Sequence, residues 1–198
     1  MNDLRTQLRE RRQALSSEDR QKKSLAMSEH LTRYLPFVRT DTVALYYSTP
    51  EEVDTTGLIM TAAEQGKTIY LPVVNTSQIR SDAMLFARFI PETTPMKNNR
   101  YGIPEPDVPI DECLRSDELP FICVPMVGFN QRCDRIGMGA GYYDRTLENR
   151  GTVKLHLVGL AFACQEAEFE AASHDVPMDA VVTEDGVLEG VKSGQHQR

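Results

Sequence analysis

Between Arg135 and Arg145 the chain reads Arg-Ile-Gly-Met-Gly-Ala-Gly-Tyr-Tyr-Asp-Arg, placing glycines at the alternate positions 137, 139 and 141. Glycine reaches backbone angles that other residues avoid and lets a ligand approach the main chain closely. A loop of this kind can turn successive backbone N–H groups toward an anion, most often a phosphate. If Tyr142 opens a helix, the amides and dipole of its first turn favour the same negative charge. A plain turn between strand and helix is the alternative. No Lys-Ser/Thr follows Gly141, so this is not a Walker A loop, and it lacks the Gly-x-Gly-x-x-Gly of dinucleotide sites. Arg135 and Arg145 flank the glycines and can neutralise phosphate charge, with a guanidinium geometry suited to bidentate contact. Asp144 offers a hard oxygen for Mg²⁺, which takes one or two carboxylates together with phosphate oxygens. It is equally suited to the first turn of a helix.

Other residues invite weaker readings. Glu52 follows an apolar run and can accept hydrogen bonds from an amino- or imino-bearing ligand, or stand as a solvated loop acid. Tyr47, Tyr101, Tyr142 and Tyr143 can give flat walls with polar tips to an aromatic ring system, or pack in the core. His174-Asp175 is a candidate metal or proton-transfer pair, with an ordinary turn as the default. The cysteines at 113, 123, 133 and 164 form no Cys-x-x-Cys pair and none of the four histidines has zinc-ligand spacing, which suits reduced structural thiols. No convincing nucleophile stands out.

The elements that must position these groups follow an α/β pattern. A chain of 198 residues with a net charge of −7 is long enough for one core and lacks the basic excess of a general nucleic-acid binder. Its polar N-terminus and the lack of a long apolar run argue against a signal peptide or a membrane span and for the cytoplasm. Residues 3 to about 35 read as helix, with Leu4, Leu8 and Leu15 roughly on one face and Leu25, Leu31 and Leu35 continuing. Ser16-Ser17-Glu18-Asp19 is placed to cap a second helix. Arg5, Arg9, Arg11 and Arg12 make the first helix basic, as a solvated face or an anion contact.

Thr42–Tyr47 reads as a buried strand, 55–66 as a helix capped by Asp54 or Thr55 and stopped at Gly66, and Lys67–Val74 as the next strand. This strand–helix–strand unit builds a parallel sheet by right-handed crossover. Met84–Ile90, Phe121–Pro125, Leu155–Phe162 and Ala180–Thr183 read as further strands, and Tyr142–Asn149 as a helix. Residues 91–120, rich in Pro, Asn, Asp and Glu, are expected to be irregular apart from one short helix at 110–115. A single domain is expected over residues 1–189, with a disordered tail at 190–198. Ser48–Glu52, the 126–145 segment and Gln165 each follow a strand. Parallel strands would put all three on one rim, where ligands of open α/β sheets lie.

Taken in order, these segments resemble the 5-formyltetrahydrofolate cyclo-ligase family, also called methenyltetrahydrofolate synthetase. The likeness runs from about residue 4 to residue 186. It is carried by the basic N-terminal helix, by Tyr47-Ser48-Thr49-Pro50-Glu51-Glu52-Val53-Asp54-Thr55 and by Tyr101-Gly102-Ile103-Pro104-Glu105-Pro106. Val124-Pro125-Met126-Val127-Gly128-Phe129, the 135–145 loop, His174-Asp175 and Val181-Val182-Thr183-Glu184 complete it.

The resemblance implies a three-layer α/β/α fold with a mostly parallel sheet, Rossmann-like in the manner of NagB, RpiA and the CoA transferases. It also implies ATP- and Mg²⁺-dependent conversion of 5-formyltetrahydrofolate to 5,10-methenyltetrahydrofolate. By position, Arg135, Ile136, Gly137, Met138, Gly139, Ala140, Gly141, Tyr142 and Tyr143 would meet the nucleotide, with Arg5 and Arg9 reaching its phosphates. Arg135, Arg145 and Tyr143 would act on the reacting groups. Tyr47, Glu52 and residues 138–142 would contact the folate, and Asp144 and Asp175 would bind Mg²⁺. A monomer with no nucleic-acid or membrane partner is implied. A different ATP-dependent kinase or ligase, or a folate- or nucleotide-binding module without activity, are the rival readings. Three positions depart from the family pattern. Met1 or Arg5, depending on register, falls where a basic residue, usually Lys, precedes Leu-Arg. Asn130 replaces an aspartate, and Cys133 replaces a glycine.

Overall fold

Short apolar and β-branched runs supply the strands, as such runs do when both faces of a sheet are covered. The computed structural model describes residues 2–74, 84–148, 154–171 and 175–190. In chain order the first strands are β1 (Thr42–Ala44), β2 (Thr68–Val74) and β3 (Met84–Phe89). A ribbon of β4 (Met96–Asn98) and β5 (Pro104–Pro106) follows, then β6 (Phe121–Pro125) and a second ribbon of β7 (Gly128–Phe129) and β8 (Arg135–Ile136). β9 (His156–Leu160), β10 (Ala180–Thr183) and β11 (Gly186–Glu189) complete the set.

Seven of these strands form one sheet in the order β11-β10-β9-β6-β1-β2-β3. The five inner strands are parallel, and β3 and β11 close the edges antiparallel. The mostly parallel α/β sheet expected from the sequence is therefore present. From β1 the chain crosses to β2 on one side, whereas β6, β9 and β10 build outward on the other. The strand order thus reverses between β1 and β6, the place where open α/β sheets hold ligands.

Among the described residues five helices accompany the strands: α1 (Asn2–Gln13), α2 (Ser17–Arg33), α3 (Leu35–Arg39), α4 (Thr56–Glu64) and α5 (Tyr142–Leu147). The break between α1 and α2 is the expected one, for the Ser16 hydroxyl accepts the Asp19 N–H at 3.0 Å. Both candidates before α4 are used differently. Asp54 accepts the Thr56 N–H at 2.9 Å, while the buried Thr55 hydroxyl donates to the Tyr46 carbonyl. Gly66 ends the turn after α4 with its N–H on the Ala63 carbonyl.

α2, α3 and α4 cover one face of the sheet, where Met27, Leu31, Phe37, Leu58 and Ile59 pack against Phe121, Cys123 and Val182. Ile122, Val124 and Val181, the alternate residues of the same strands, meet Phe86, Leu147 and Phe129 on the other face. That second outer layer is mostly turns with α5 as its helix, so the sandwich is thinner in helix there than a symmetrical α/β/α arrangement. Leu25 and Leu35 are exposed, so the buried stripe of α2 runs through Ser24, Met27 and Leu31 instead.

Residues 91–120 are more ordered than expected. They hold the β4–β5 ribbon and two 3-10 turns, Ile110–Glu112 and Ser116–Glu118, in place of one helix at 110–115. β11 is also additional. Met1, Asn149, His174 and positions 191–198 of the expected tail lie outside the described residues.

Candidate active site

A cleft of about 370 Å³ opens at the β1/β6 reversal. Tyr46, Tyr47, Thr49 and Glu52, which follow β1, form one wall. Pro125 at the end of β6, and Arg135 and the glycine loop beyond it, form the opposing one, and Asn99, Tyr101 and Ile103 of the β4–β5 connection close the side.

The three glycines have separate physical reasons. Gly139 and Gly141 take φ of +99° and +67°, a region other L-residues avoid. Gly137 is needed for space, because a Cβ there would stand 2.7 Å from the Arg135 guanidinium. Gly137, Met138, Ala140, Gly141, Tyr142, Tyr143 and Asp144 line the cleft. Ile136 does not. Its side chain is buried with Leu8 and Val127 and its carbonyl accepts the Val127 N–H at 2.8 Å, so it anchors the loop to the core.

α1 supports the loop from behind. Arg5 Nε donates to the Gly137 carbonyl at 2.9 Å, Arg9 Nη2 donates to the Met138 carbonyl at 2.8 Å, and Leu8 between them is fully buried. Arg5 and Arg9 of the basic helix are therefore aimed at the loop, whereas Arg11 is exposed and donates to the Glu166 carbonyl at 3.3 Å.

Arg135 is almost wholly buried, pairs with Asp144 through Nη2, and lies 6.0 Å over the Tyr143 ring. Its Nε has no hydrogen-bond partner among the described residues, so part of its donor capacity remains unused at the cleft. Arg145 stacks on Tyr142 at 5.3 Å, outside the cleft lining. The Tyr142 hydroxyl meets that of Tyr101 at 3.0 Å, spanning from α5 to the β4–β5 connection. Tyr47 is half-buried and sets its ring edge-on to Phe89, with centroids 5.9 Å apart.

Glu52 is buried in the opposite wall and accepts the Thr49 N–H at 2.8 Å. Burial raises its carboxyl above the ordinary value, and the Thr49 N–H and Arg12 guanidinium act in the opposite direction. Tyr46, beside it, is buried with its hydroxyl unpaired among the described residues.

For Mg²⁺ the glycine-loop side of the cleft offers one carboxylate, Asp144, the other acid in the lining being the buried Glu52 of the opposite wall. Asp175 does not line the cleft, and no group of three or more His, Cys, Asp or Glu among the described residues could hold a metal. This donor set fits a metal that shares its shell with nucleotide phosphates.

Gln165, expected on the ligand rim, is instead a buried strut. It donates to the Met126 and Val127 carbonyls at 2.8 and 3.0 Å and accepts the Phe162 N–H at 2.8 Å. Tyr46 and Thr49 are additions that residue-by-residue reading missed, and Arg12, read there as a solvated or anion-binding base, is instead buried against Glu51. The spacing Arg5, Leu8, Arg9, Arg12, which puts all four on one helical face, is the signal that would have found the last of them.

A family model described as the 5-formyltetrahydrofolate cyclo-ligase family matches residues 1–184. A 5-formyltetrahydrofolate cyclo-ligase of Haemophilus influenzae is 35% identical over 176 residues, covering 88% of this chain and 92% of that protein. One from Escherichia coli K12 is 35% identical over 183 residues, covering 92% and 99%. The solved structure of 5,10-methenyltetrahydrofolate synthetase from Aquifex aeolicus superposes with a TM-score of 0.80 at 29% identity, covering 100% of this chain and 95% of that one.

Proposed function

This chain belongs to the 5-formyltetrahydrofolate cyclo-ligase family, and from that premise we propose that it converts 5-formyltetrahydrofolate and ATP to 5,10-methenyltetrahydrofolate, ADP and phosphate. The observation that carries the reading is the meeting of the glycine loop and Glu52 across one cleft at the strand-order reversal.

The formyl oxygen attacks the γ-phosphoryl group, displacing ADP. The folate's N10 then attacks the resulting imidate phosphate, and phosphate leaves as the ring closes. Such chemistry needs positioning and charge stabilisation more than a protein nucleophile. The loop from Arg135 to Tyr143 seats the nucleotide phosphates, with Arg5 and Arg9 behind it and Arg145 at its end. Tyr47 and residues 138–142 hold the folate, and Glu52 accepts hydrogen bonds from its pterin part. Arg135 exchanges Asp144 for phosphate oxygens when the nucleotide enters, and Tyr143 packs against that guanidinium. Asp144 would then hold Mg²⁺, with Asp175 as a second candidate, and the metal would supply charge neutralisation on the phosphates. A monomer acting in the cytoplasm on these small molecules completes the reading. No described helix is long and apolar enough to cross a membrane, and the net charge of −7 does not favour nucleic acid.

Incubating the protein with 5-formyltetrahydrofolate and Mg·ATP should produce the near-ultraviolet absorbance of the methenyl product, with ADP released in step. ATP turnover without that absorbance would leave another kinase or ligase. Binding of both ligands without ADP release would leave a non-catalytic module.

A further inference from the structure

Arg12 lies one helical turn beyond Arg9 on α1 and is 2% exposed, although no phosphate-binding or folate-binding role falls to it above. Its hydrogen-bond inventory is poor. Nη2 reaches Glu51 Oε2 at 3.4 Å, and Glu51 is itself half in solvent. Nε and Nη1 are buried with no partner among the described residues. A buried donor left unmade costs free energy, and a buried Arg paired this loosely stabilises a fold less than an apolar residue of its size. Folding alone does not explain an arginine here.

The beneficiary of its charge is Glu52. The groups that act on that carboxyl most strongly come from the loop around it, β1, α1 and α5. Thr49 donates its N–H from the loop, and Glu51 adds a repelling negative charge. Tyr46, at the end of β1, and Tyr143, on α5, are phenols held neutral by burial. Among the groups acting most strongly on the carboxyl Arg12 is the cation, and its contact with Glu51 places it beside that loop. Without it, burial and Glu51 would both favour the protonated acid, which cannot accept at both oxygens.

We propose that Arg12 is a positioning residue that supplies the buried counter-charge for Glu52 and so keeps it competent to accept from the reduced folate. The proposal rests on the reading that Glu52 contacts the folate. It makes α1 a helix that serves both walls of the cleft, with Arg5 and Arg9 on the glycine loop and Arg12 on the acid opposite.

The test compares R12M, R12K, E51Q and E52Q by steady-state kinetics across pH. R12M should raise KM for 5-formyltetrahydrofolate about tenfold or more, the scale of one lost charge-assisted hydrogen bond. It should also move the acid limb of kcat/KM for that substrate to higher pH, leave KM for ATP near wild type, and add nothing when combined with E52Q. R12K should recover part of the loss. E51Q, at a half-exposed position that tolerates an isosteric amide, should move the acid limb to lower pH, because a repelling charge is gone and Arg12 is left to Glu52. Should R12M not fold, R12K and E51Q still give the answer, and an acid limb unmoved in E51Q would overturn the proposal. A parallel rise in both KM values with no change in the acid limb would make Arg12 a strut for α1 and overturn it. If E52Q raises the folate KM and R12M does not, the Arg12 role alone falls. If E52Q itself leaves the folate KM unchanged, the proposal falls with its premise.

Discussion

Asn130 replaces an acid that the family pattern carries, and its hydrogen bonds explain how the turn tolerates the change. Its amide donates to Asp134 Oδ2 at 2.8 Å and to the Phe169 carbonyl at 3.1 Å, while its Oδ1 accepts the N–H groups of Arg132 and Asp134 at 3.0 Å each. A carboxylate can accept those two N–H groups but cannot make the two donations. Asn130→Asp should therefore lower stability by about 2 kcal/mol, through repulsion from Asp134 and loss of two hydrogen bonds, even though it restores the family residue and Arg132 still donates to the Phe169 carbonyl. Chemical denaturation would show it, and an unchanged midpoint would refute it. Cys133 solves its problem differently, by adopting a φ of +62° in the place of a glycine while its side chain stays fully buried. Glu52 gives the second residue-scale prediction. Its folded pKa lies above the ordinary 4.5 because it is buried, so the folded state holds the proton more tightly than the unfolded chain. The ionised side chain costs stability as pH rises through the folded value and costs nothing below 4.5. Glu52→Gln should be no more stable than wild type near pH ~4 and progressively more stable toward pH ~8, while its folate KM rises about tenfold or more. A melting series in which the difference between the two proteins does not grow with pH would contradict this.

Among the elements, the glycine loop was legible because its alternate spacing has few structural explanations, whereas the β4–β5 ribbon was not. Pro104 and Pro106 argue against a strand, since proline cannot donate to a ladder, and the three residues of β4 are exposed. A two-stranded ribbon tolerates both because each strand is an edge. β11 had a local signal in Asp185-Gly186, a turn pair typical of hairpins. Gln165 shows the limit of position alone, for a polar residue beyond a strand can brace a loop as readily as meet a ligand. The loop's own prediction is Gly139→Val. A Cβ at 139 would find its nearest neighbour, the Arg5 guanidinium, 3.9 Å away, so space is not the obstacle. The obstacle is a φ of +99°, which a β-branched residue cannot hold without about 1–3 kcal/mol of strain. The loop relaxes by withdrawing its N–H groups from the phosphate seat. Turnover should be lost while the protein stays folded, and wild-type ATP affinity in a titration would contradict it.

At the scale of the whole molecule, the succession of strands along the chain was readable from the apolar runs, and with it, for parallel strands, a rim that holds Glu52 and the glycine loop but not Gln165. The reversal between β1 and β6 needed the structure, because sequence order does not say on which side of β1 the chain returns. That reversal sets a glycine loop braced by Arg5 and Arg9 and led in by Arg135 opposite a buried acid, and on the proposed reading these arginines give a net-acidic protein a local cationic seat. Ligand binding should therefore tie these segments together and be visible in global stability. For a protein of 198 residues, Mg·ATP at about 100 times its Kd contributes ~2.7 kcal/mol, a rise in Tm of about 5–11 °C. Asp144 pairs with Arg135 when no ligand is present, so Asp144→Asn alters the unliganded Tm as well, and the informative quantity is the ligand-induced shift. In Asp144→Asn the shift with Mg·ATP should shrink to the shift that ATP gives with a chelator, because the cleft's carboxylate for the metal is gone while the arginines that meet the phosphates remain. A full wild-type shift in the variant, with an unchanged Mg²⁺ titration of turnover, would remove Asp144 from the metal site.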